Sequence, residues 1–117
     1  MLIFLLSLPL LGLAQELNHV KFISQEQYLM DRVENIIMEE QTFLVTISIV
    51  DQQIIMENYG REDKFQVLKV ENLPSNRYHF HLENNQTMIM DEKNVYFFHN
   101  ELYIGILYEI KERIDLD

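Results

Sequence analysis

The chain has 117 residues, with 19 acidic against 9 basic side chains, a formal charge of −10 and no cysteine. The missing cysteines exclude thiol chemistry and disulfide staples, and the singly scattered Lys and Arg argue against a nucleic-acid partner, since a phosphate backbone is held by clustered cations. A chain of this length builds one core and buries roughly two thirds of its unfolded surface, so it needs no metal merely to fold.

The opening run "MLIFLLSLPLLGLA" carries no charge and is too short to span a bilayer, which takes about 20 apolar residues. Gly12 and Ala14 are small enough for a signal peptidase, although no Lys or Arg precedes Lys21. The expectation is a signal peptide over 1–14 and one domain over 15–117, exported to the periplasm or beyond, with no transmembrane span left after cleavage.

The first folded element begins at "SQEQ", where Ser24 and Gln27 have the spacing of a helix capping box and Ile23 and Tyr28 that of a hydrophobic staple. Leu29, Val33, Ile36 and Ile37 then recur as one helical stripe, while Glu26, Asp31, Glu34 and Glu39 largely fall off it. This spacing predicts an amphipathic helix over 25–40. If that stripe is buried, Val33→Asp costs several kcal/mol through an unpaired core charge.

After Gln41 the period changes to two. Phe43, Val45, Ile47 and Ile49 alternate with Thr42, Leu44, Thr46 and Ser48, as a strand requires. Shorter strands are predicted over 53–57, 64–70, 78–83, 86–90 and 95–98, separated by Asn-, Gly- and Pro-containing turns. A longer strand closes the chain, with Leu102, Ile104, Ile106, Tyr108 and Ile110 on one face. The expected fold class is α+β: one N-terminal helix packed on a curved antiparallel β-meander, as in cystatin-like and similar small rolls.

Catalytic signatures are lacking. Gly12, Gly60 and Gly105 form neither a phosphate loop nor a dinucleotide fingerprint, and no HExxH, GxSxG or CxxC occurs. Glu39-Glu40 and Glu62-Asp63 suit a helix end and a turn better than a hydrolytic carboxylate pair. The aromatic run "VYFFHNELYIGILY" fits two paired strands with alternate members facing the core, and "NQT" at Asn85 is a glycosylation sequon on a hairpin tip.

One stretch offers a specific chemistry. In "YHFHLENNQTMIM" a two-residue Asn84-Asn85 turn would pair Glu83 with Gln86, setting His81 against Met88 and His79 against Met90 on one face. Two imidazoles and two thioethers suit Cu(I) or Ag(I). The plainer alternative makes them the half-exposed side of a hairpin, and a slip of one residue would turn the methionines to the other face. The expected function is therefore a small, exported, non-catalytic binding or accessory domain acting on a protein or small ligand. A soft-metal protein using His79, His81, Met88 and Met90 with Cu(I) is the second class, and a small hydrolase the third.

Overall fold

A computed structural model describes residues 17–116, and the signal peptide expected over 1–14 lies outside them. The strands are β1 (Val20–Asp31), β2 (Ile36–Val50), β3 (Gln53–Asn58), β4 (Arg61–Leu73), β5 (Arg77–Leu82), β6 (Gln86–Met90), β7 (Asn94–His99) and β8 (Ile104–Asp115). Each pairs antiparallel with the next and β8 returns to β1, which closes the sheet into an up-and-down barrel. Among the described residues there is no helix, so the α+β expectation and its cystatin-like analogy are corrected to an all-β barrel.

The expected helix over 25–40 is instead the end of β1, a turn and the start of β2. Local chemistry explains the turn. The Asp31 carboxylate accepts from the Val33 and Glu34 amides at 2.8 and 3.1 Å, the Asn35 amide donates to the Asp31 carbonyl at 2.7 Å, and Asn35 adopts φ 58°. This is an Asx-type reversal of the kind Asp and Asn favour.

Ser24 and Gln27 do touch, but as side chains inside the barrel. Gln27 Nε2 donates to Ser24 Oγ at 3.1 Å and to the Phe43 carbonyl at 2.9 Å. A register shift between Ser24 and Glu26 makes two inward positions fall three residues apart, which imitates a helical spacing within a strand. Val33 stands 81 % exposed at the turn. Val33→Asp is therefore expected to leave the melting temperature within a few degrees of wild type, as surface changes do; a drop much larger than that in thermal unfolding would contradict the exposed turn.

The barrel is filled by the inward set of each strand. Val20 and Phe22 of β1, Val45, Ile47 and Ile49 of β2, and Ile54 of β3 meet Phe80, Leu82, Met88, Met90, Val95 and Tyr108 from the opposite wall. An eight-stranded barrel has an interior just wide enough for such side chains. The turns that join the strands carry positive φ at Asp51 and Gln52, at Tyr59 and Gly60, and at Ser75 and Asn76, which tight strand reversals require. Among the described residues no helix is long and apolar enough to cross a membrane.

Strand lengths are uneven. β2 has 15 residues, yet it pairs with β3 only from Thr46 to Val50. Its first part, from Ile36 to Val45, is held by β1 alone.

Candidate functional site

The β5–β6 hairpin pairs Leu82 with Gln86, Phe80 with Met88 and Tyr78 with Met90, while His81 faces Thr87 and His79 faces Ile89. The connection therefore has one residue more than the expected Asn84-Asn85 turn, although both Asn residues do take φ 59°. Glu83 is the reason. Its amide donates to the Gln66 carbonyl at 3.0 Å and its carboxylate accepts from the Gln66 amide at 3.1 Å, so β4 claims it.

The shift of one residue separates the four expected metal ligands. Met88 and Met90 point into the barrel and are 0 % and 3 % exposed, whereas His79 and His81 lie half-buried on the outer wall. The structure does not bring the set together, and among the described residues no three His, Cys, Asp or Glu side chains group so as to hold a metal ion.

The outer pair has its own geometry. The two imidazoles stack with centroids 4.1 Å apart and planes 9° from parallel. His81 Nε2 lies 2.5 Å from Glu71 Oε1, and Lys69 Nζ lies 3.6 Å from the same oxygen. The hydrogen bond from His81, aided by Lys69, holds the Glu71 carboxyl below its usual range. Burial, and then the charge on His81, holds His79 below the usual imidazole range. This carboxylate–imidazole pair has no activated nucleophile beside it: the Thr87 hydroxyl, across from His81, donates instead to Asn100 Oδ1 at 2.5 Å. It ties β4 to β5.

The more telling feature is the end of the barrel at which β1 begins. Phe22, Tyr78, Met90 and Ile110, from β1, β5, β6 and β8, together with Leu17, form the apolar lining of a cavity of about 430 Å³. Its polar rim comes from Asn76, Asp91, Glu92 and Arg113. Arg113 reaches the rim through a second irregularity. Ser24 pairs with Ile110 and Ile23 with Glu112, so Lys111 is extra, and Arg113 falls opposite the inward residue Phe22. Bulges commonly re-aim a side chain in this way.

The Arg113 guanidinium sits 5.9 Å from the Phe22 ring centre, and its Nε lies 3.3 Å from Asp115 Oδ1. Asp91 is partly committed, since its Oδ1 accepts from the Lys93 and Asn94 amides at 2.8 Å each. Inside the wall, Tyr108 is pushed up to about 12 by burial, with Asp63 adding to the effect.

No family model matches the chain, and neither the curated proteins nor the solved structures yield a match.

Sequence periodicity finds the inward members Tyr78 and Ile110 but not their meeting at a barrel mouth, which depends on closure of β8 against β1. Arg113 has no sequence signal of its own, because strict alternation from Ile110 sends it outward.

Proposed function

We propose that the protein is an exported binding protein whose barrel mouth takes the apolar part of a small amphipathic ligand. The observation that carries this reading is the cavity bounded by Phe22, Tyr78, Met90 and Ile110, whose size falls in the range of small-molecule sites. An apolar wall with a few polar groups at the rim favours a molecule that buries a hydrocarbon or aromatic body and leaves a polar end in water. Arg113 is paired with Asp115 and shares the rim with Glu92 and Asp91, in a chain of net charge −10. Those charges favour a neutral or cationic polar end over an anionic one. The uncharged apolar run at 1–14 supports export.

The test uses Nile red, a neutral apolar dye whose emission rises on leaving water. Wild-type protein is expected to bind it saturably. Ile110→Trp places a larger ring in the half-buried lining and should weaken binding at least roughly tenfold while the fold survives. The chain has no native Trp, so the new indole also reports ligand directly. Equal dye binding by a folded Ile110→Trp variant, or none by wild type, overturns the proposal.

A further inference from the structure

Pairing between β2 and β3 starts at Thr46 opposite Glu57 and runs to Val50 opposite Gln53. Beyond it, from Ile36 to Val45, the side of β2 that faces away from β1 has no strand partner among the described residues. At the usual strand rise that edge is roughly 30 Å long. Closed barrels normally abolish edges, and exposed edges are normally blunted with bulges or charge, and most effectively with Pro or Lys. This one has neither Pro nor Lys, and it displays Ile36, Ile37, Met38 and Leu44, each about half exposed. Register shifts at Met38 and opposite Gln25 bracket a regular run from Glu39 to Thr42.

Charge identifies the occupant. Between Arg32 and Arg61 the chain carries Glu34, Glu39, Glu40, Asp51 and Glu57 with no Lys, Arg or His among them. Neither Glu39 nor Glu40 makes an ion pair among the described residues; opposite them on β1 stand Leu29 and Tyr28. Where the open edge meets β3, Leu44, Glu57, Asn58 and Tyr59 line a groove of about 330 Å³, and Asn58 Oδ1 has no hydrogen-bond partner. We propose that this edge docks an extended basic segment of a partner protein, which joins the barrel as an added strand next to Glu39–Thr42. Main-chain hydrogen bonds supply the attachment and alternate side chains the choice of partner, as in other strand additions. A second copy of this chain fits poorly. Self-pairing about the same run would crowd two sets of Glu39 and Glu40 between molecules that each carry −10.

The probe is a short synthetic peptide alternating Lys with Val, titrated into the full folded chain and followed by backbone amide NMR. Shifts confined to 36–45 and saturable binding are expected. A Glu39→Lys, Glu40→Lys double variant, both exposed positions, should bind it at least roughly tenfold more weakly. The same peptide with alternate amides N-methylated along one edge keeps its charge but cannot pair, and should not bind. Equal binding by the methylated peptide reduces the effect to charge attraction and overturns the proposal. So does the absence of binding, or a concentration-dependent dimer formed through 36–45, which would make the occupant a second copy.

Discussion

Met88→Ala is expected to lower the melting temperature by roughly 10–40 °C, whereas His81→Ala should move it by only a few degrees. Met88 is 0 % exposed and packs with the barrel core, so truncation removes buried methylenes and leaves a cavity, at a cost of about 2–5 kcal/mol. For a chain near this length each kcal/mol corresponds to roughly 4–8 °C. His81 lies on the outer wall with its hydrogen bond to Glu71 open to solvent, where screening leaves such a pair with little effect on stability. Had Glu83 paired with Gln86, both residues would stand on one half-exposed face and the two substitutions would cost alike. Thermal unfolding of the two variants followed by circular dichroism distinguishes the registers, and equal shifts would contradict the observed one.

Much of this barrel is legible in the sequence itself. Strands near β2 through β8 announce themselves by alternation and by the Asn, Gly and Pro turns between them, and Phe43, Val45, Ile47 and Ile49 do line the core. Two local devices misled. The shift between Ser24 and Glu26 gave β1 an inward spacing of three, and the polar inward residues Ser24 and Gln27 resembled a helix cap more than a strand. Intrinsic pattern is a weak prior where a bulge resets it. Closure was invisible because nothing local to β1 or β8 states that they pair; that contact spans nearly the whole chain. The barrel mouth was hidden for the same reason. In the β5–β6 hairpin the turn chemistry was readable and the register was not, since the Glu83–Gln66 contact that adds a residue to the loop comes from another strand.

A titratable group in the wall gives the second large effect. Tyr108 is buried among apolar side chains, and burial, together with the negative Asp63, pushes its hydroxyl up to about 12 from an ordinary value of 10.0. The folded state therefore keeps this proton at pH values where the unfolded chain loses it. The stability linked to the neutral phenol is fully present below about pH 10 and is lost as pH rises towards about 12, because only the unfolded chain can ionise cheaply in that window. A shift of that size corresponds to roughly 2–3 kcal/mol. Tyr108→Phe keeps the ring and removes the ionisation, so the variant should lose less stability than wild type over the same window. Every other ionisable group is common to both proteins, so its contribution cancels in the difference. Urea unfolding of the pair at intervals from pH 9 to pH 12 is the measurement. Curves that diverge above pH 10 by roughly 2 kcal/mol place the Tyr108 hydroxyl inside the barrel wall; parallel curves would put it in water and reopen the pairing of β1 with β8 on which the whole closure rests.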